Sequence, residues 1–139
     1  MKYLGIDYGM RKTGLAVGDS TAAVAVPFDV IAGGKETIPR VLEIVKSEGI
    51  EAFVVGLPIP TNASQNEDQL LRVVAFVKAL GEASGLLVSV VDEQFSSTEA
   101  RRIRSEYGGT AGEDAIAAML ILQAFFDEGA TNYVVGTQN

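Results

Sequence analysis

Residues 5–14 read GIDYGMRKTG, and how the chain turns within them decides the fold. Before the turn, residues 2–7 (KYLGID) alternate, with Leu4 and Ile6 on one side and Tyr3, Gly5 and Asp7 on the other. That is the two-residue period of a strand. After a turn at about residues 8–12, TGLAVGD (13–19) reads as the returning strand and VAVPFDVI (24–31) as a third. Three such strands make an antiparallel meander. Asp7 thus ends a strand, Gly5 on its own face leaves space beside the carboxylate, and the following turn carries Arg11 and Lys12. A turn of this composition can hold a metal ion, cradle a phosphate or simply close a hairpin.

Beyond the meander the period changes. IPRVLEIVKSEG (38–49) has apolar residues at 38, 41, 42 and 45, with Pro39 near its start and Gly49 at its end, the marks of a helix. EAFVVGLP (51–58) is a short apolar strand, and Ser64 with Glu67 forms a capping-box pattern ahead of the helical QNEDQLLRVVAFVKAL. LLVSVVDE (86–93) is another buried strand, ending in Asp92 and Glu93. Ser96 with Glu99 repeats the capping pattern before a short basic helix through about Arg104. Thr110 with Glu113 gives it a third time, ahead of DAIAAMLILQAFF (114–126), which is apolar nearly all round and so belongs in the interior. The tail from about residue 129 reads as a short strand or a frayed end. The order predicts an α/β fold, a mixed sheet with helices on both faces, as one domain over residues 1–139.

Composition narrows the chemistry. The chain has no cysteine and no histidine. It therefore lacks a thiolate nucleophile, the usual structural zinc ligands and the commonest general base. Catalysis is left to carboxylates, hydroxyls, lysine, tyrosine or a bound cofactor, and carboxylates suit hard cations such as Mg2+ or Mn2+. No apolar run reaches the roughly 20 residues that a bilayer needs, so the expectation is a cytoplasmic protein without a membrane partner. The formal net charge of −7 opposes nucleic-acid binding. Its distribution does not, since Arg11 and Lys12 are adjacent and Arg101, Arg102 and Arg104 fall within four residues.

Three acidic positions stand apart from the solvated helix faces: Asp7 at the end of the first strand, Glu93 at the end of the last, and Asp114 in the first turn of the most apolar helix. Taken singly, each has an ordinary role as turn initiator, solvated strand end or helix-dipole complement. Together they converge, because residues beyond the carboxyl ends of strands meet in one crevice and a buried helix can point its first turn there. Acids gathered in this way repel one another unless cations sit between them, and two divalent ions are suited to in-line phosphoryl displacement. Ala115, Ala117 and Ala118 would let the helix bearing Asp114 come close to the sheet.

The blocks GIDYGMRKTGLAVGD, VVGLP, VVDEQFSSTEA and EDAIAAMLILQAFF, in this order and spacing, resemble the YqgF family, also called RuvX. This is a branch of the RNase H-like superfamily that includes the RuvC resolvases. The resemblance implies an RNase H-like mixed five-stranded sheet and a metal-dependent nuclease using Mg2+ or Mn2+, with Asp7, Glu93 and Asp114 at the family's three acidic positions. It implies a nucleic-acid partner, either pre-16S rRNA trimmed at its 5′ end or branched or single-stranded DNA such as the Holliday junction. Arg11, Lys12, Arg101, Arg102 and Arg104 would then hold the phosphate backbone without reading bases. The chain departs from the pattern at Gln94, where the family usually has arginine, and at Ser97, where it has threonine. Two other readings compete: a non-catalytic nucleic-acid-binding module, and an actin-like phosphate-binding ATPase module, which DYGMRKTG also resembles. The assembly expected is a monomer or homodimer, and junction resolution favours the dimer because a four-way junction has two-fold symmetry.

Overall fold

A computed structural model describes residues 1–58, 64–92 and 112–129, apart from the side chains of 64–66. Five strands form one sheet in the order β3-β2-β1-β4-β5. They are β1 (Lys2–Asp7), β2 (Lys12–Asp19), β3 (Val24–Ala32), β4 (Ala52–Leu57) and β5 (Leu87–Asp92). The first three make the expected meander, β1 antiparallel to β2 and β2 to β3, while β4 lies parallel to β1 and β5 parallel to β4. All six residues of β4 are buried, as an unbroken apolar run predicts for a parallel strand covered on both faces.

The alternation along each strand sorts the core into two halves. On one face Leu4, Ile6, Leu15, Phe53, Val55, Leu57, Val88 and Val90 pack beneath α1 (Thr37–Glu48) and α2 (Ser64–Ser84). Helix α1 contributes Val41 and Ile44, and α2 contributes Val73, Phe76, Val77 and Leu80. As expected, α1 stops at Gly49, whose backbone is left-handed with φ 69°. On the other face lie Tyr3, Ala16, Ala25, Ala52, Val54 and Val91, covered by α3 (Glu113–Glu128) through Ala118, Ile121 and Leu122. The mixed sheet with helices on both faces is therefore the observed arrangement.

Helix α3 begins differently from the sequence reading. Its N-cap is Gly112, which has no side chain to bond a free amide, and Glu113 is already helical. Thr110, the expected cap, lies outside the described residues, as does the pattern at Ser96. The start of α3 is set by the sheet, because its first turn lies directly against β2. Glu113 and Asp114 then both occupy the first turn, where the helix dipole favours negative charge.

Candidate active site

Close approach of α3 to the sheet is what builds the site. The residues of β2 that face α3 are Gly14, Ala16 and Gly18, and those of β1 are Tyr3, Gly5 and Asp7. A methyl group at Gly14 would overlap the carbonyl oxygen of Asp114. One at Gly5 would stand 2.8 Å from Leu122 Cβ and 3.0 Å from the Ala118 oxygen. Only glycine lets the helix backbone come this near. Of the three alanines expected to help, Ala118 and Ala115 are buried, whereas Ala117 is half-buried.

The register then fixes where Asp7 falls. Tyr3 packs on Phe125 and Phe126, with ring centroids 5.1 and 5.8 Å away, and Gly5 lies beneath Leu122 and Ala118. Two residues of strand advance ~6.6 Å, and four of helix ~6 Å. The next step along both elements pairs Asp7 with the first turn of α3, where Asp114 stands on the same stripe as Ala118, Leu122 and Phe126. The cross-strand partner of Asp7 is Gly14, the residue covered by the Asp114 backbone. Both aspartates are half-buried.

Beside Asp114 opens a shallow pocket of about 670 Å³ lined by Met10, Arg11, Lys12 and Asp114 itself. Met10, Arg11 and Lys12 are exposed. Among the described residues neither Arg11 nor Lys12 has an ion-pair partner. Two cations beside a carboxylate, open to solvent, suit an anionic ligand that brings or shares a metal ion. Asp92 is placed elsewhere: β5 turns Val88 and Val90 toward α1 and α2, and Asp92 continues that side, away from α3. Glu93, Arg101, Arg102 and Arg104 lie outside the described residues, and the residues that are described contain no cluster of three acids able to hold a metal.

Two further residues belong to the architecture of this turn and escaped the sequence reading. Thr13 and Thr37 are fully buried, and their hydroxyls lie 3.3 Å apart. The signal was available: Thr13 interrupts the apolar face that Leu15 and Val17 continue.

Residues 1–128 match the model of the family described as "RuvX: Holliday junction resolvase". A protein of Oleidesulfovibrio alaskensis named "Putative pre-16S rRNA nuclease" is 38% identical over 135 residues, covering 91% of this chain and 92% of its own. One of the same name from Anaplasma marginale is 36% identical over 133 residues, covering 91% and 84%. Among solved structures, T. thermophilus RuvC in complex with a Holliday junction substrate superposes with a TM-score of 0.63 at 19% identity, covering 94% of this chain and 98% of the other. The Fowlpox virus resolvase complexed with Holliday junction DNA does so at 0.59 and 12%, covering 91% and 97%. These two share the RNase H-like fold of the resolvases. With the family model spanning residues 1–128 and relatives at 36% and 38% identity along most of their lengths, the chain belongs to the RuvX family.

Proposed function

We propose that this protein is a metal-dependent nuclease, a hydrolase of phosphodiester bonds, with its centre where Asp7 meets the first turn of α3. Family membership and the nuclease relatives support the class. The single observation that carries the location is the junction of Asp7, Gly14 and Asp114 beside a pocket walled by Arg11 and Lys12. Asp7, Glu93 and Asp114 would hold one or two Mg2+ or Mn2+ ions. The donor chemistry fits: the site offers carboxylates, which hard cations prefer, and the chain has no histidine or cysteine to favour a softer metal. Because Asp92 follows the opposite face, its neighbour Glu93 is the strand-end acid proposed for the third position.

A bound divalent ion would supply Lewis acidity at the phosphate and an acidified water. The protein's own part is to bring the acids together and to orient the backbone. Arg11 and Lys12, with Arg101, Arg102 and Arg104, would grip phosphates without reading sequence. The substrate we favour is precursor 16S rRNA at its 5′ end, met in the cytoplasm, with four-way or single-stranded DNA as the second class. A monomer suffices for the first, and a homodimer suits the two-fold junction.

The test is cleavage of a precursor-rRNA fragment, a single strand and a four-way junction in Mn2+ or Mg2+. Asp7→Asn should lower the rate by about 100-fold or more, since Lewis-acid stabilisation is worth several kcal/mol and each ~1.4 kcal/mol is a factor of ten. Its circular dichroism should be unchanged. Full activity of Asp7→Asn would reject the assignment.

A further inference from the structure

The pocket's basic wall runs from the turn after β1 into the first residue of β2, and it is tied down from behind. The single proton of the Thr37 hydroxyl is donated to the Ala32 carbonyl at 2.9 Å. The 3.3 Å contact between the two threonines must then use the Thr13 proton. Thr13 in turn accepts the Gly9 amide at 3.3 Å. The result is a directed chain from Gly9 N–H through Thr13 and Thr37 to Ala32, shielded from water at zero exposure of both side chains. Two amides reinforce it from the same side: Gly33 N–H donates to the Arg11 carbonyl at 2.9 Å, and Gly34 N–H to the Gly9 carbonyl at 3.1 Å. The alternative from the Thr13 hydroxyl to the Gly9 carbonyl is longer, at 3.5 Å, and is the weaker arrangement.

This clamp joins the turn after β1, which lines the pocket with Met10 and Arg11, to the junction between β3 and α1 behind it. Its bonds fall on Gly9, Arg11 and Thr13, flanking both residues of the basic wall, Arg11 and Lys12. We infer that Thr13 and Thr37 are positioning residues for substrate: they hold Arg11 and Lys12 at the pocket rim beside Asp114, so that a phosphate backbone meets them already oriented. Preorganisation of this kind shows in binding, since a flexible cation must give up its freedom when it engages a phosphate. The inference rests on the nuclease reading above.

Thr13→Val and Thr37→Val keep shape and remove the hydroxyl. Each should raise KM for a nucleic-acid substrate roughly threefold or more while kcat at saturation stays near wild type, and should flatten the slope of log affinity against log salt by up to about 0.7–0.9, one phosphate contact's worth. Thr13→Ser should restore both. In an Arg11→Gln, Lys12→Gln background Thr13→Val should add nothing, because the changes act on the same phosphate contacts. A lower melting temperature with unchanged KM and salt slope would overturn the inference and leave the hydroxyls purely structural. Failure of both valine variants to fold would do the same. The two readings fail separately: activity surviving Asp7→Asn removes the nuclease assignment, whereas an unaltered salt slope in folded Thr13→Val removes only this one.

Discussion

Gly14 carries more of the site than any charged residue near it. Its α-carbon pairs with Asp7 in the sheet and lies directly under the Asp114 backbone, so one atom's absence brings two distant acids together. Gly14→Ala forces α3 outward at its first turn. Overpacking of this sort costs ~1–3 kcal/mol, readable as a lower urea midpoint, and an ångström of misplacement at a reacting centre can cost ~100-fold in rate. We expect cleavage to fall far more than stability in this variant, and wild-type cleavage would mean that Asp114 takes no part. The place of Asp7 at the end of β1 was legible in the sequence because strand alternation and the neighbouring Gly5 are local signals. Gly14 was not, since its meaning lies in a contact with a residue 100 positions away.

Helix α3 shows what element-level reading gains and loses. Its uniform apolarity announced an interior position, and Ile116, Ala118, Ile121 and Leu122 are indeed buried. Its start at Gly112 was hidden, because glycine offers no capping side chain to mark it. Nor did the sequence reading single out Gln123, which guards the sheet's edge. The Gln123 Oε1 accepts the Ala25 amide at 2.9 Å, and its Nε2 donates to the Ala23 carbonyl at 3.0 Å. Further along β3, Pro27 has no amide to offer and the Val30 amide is taken by Asp29 at 2.8 Å. The edge is thereby closed to a further strand despite exposed Val24 and Val26. Gln123→Leu should leave two backbone groups unpaired, lower stability by about 1–2 kcal/mol and raise concentration-dependent self-association in size-exclusion chromatography. Unchanged stability would show that water serves these groups equally well.

At the scale of the whole molecule, the sheet order places β1 between an antiparallel and a parallel neighbour, so the end of β1, the start of β2 and the first turn of α3 meet at one end of the sheet. The meander β1-β2-β3 was expected from its short turns, but the pairing of β1 with β4 and of β4 with β5 was not, because pairing across a helical crossover is not written in any single segment. Charge is the matching global problem. A chain of net −7 must approach a polyanion with two acidic residues, Asp7 and Asp114, at the proposed point of contact. Arg11 and Lys12 offset part of this locally, and divalent ions would supply the remainder. The native protein should therefore bind Mn2+ where the unfolded chain does not, and gain stability by mass action. At about a hundred times the dissociation constant the gain is ~2.7 kcal/mol, roughly 10 °C in melting temperature for a chain of this size. Asp114→Asn should remove most of that rise, and so should an excess of chelator with the wild type. Nucleic-acid affinity measured in chelator should drop alongside it. An equal thermal shift in wild type and Asp114→Asn would instead place the ions on the general acidic surface, and would separate the metal from the junction of β1, β2 and α3.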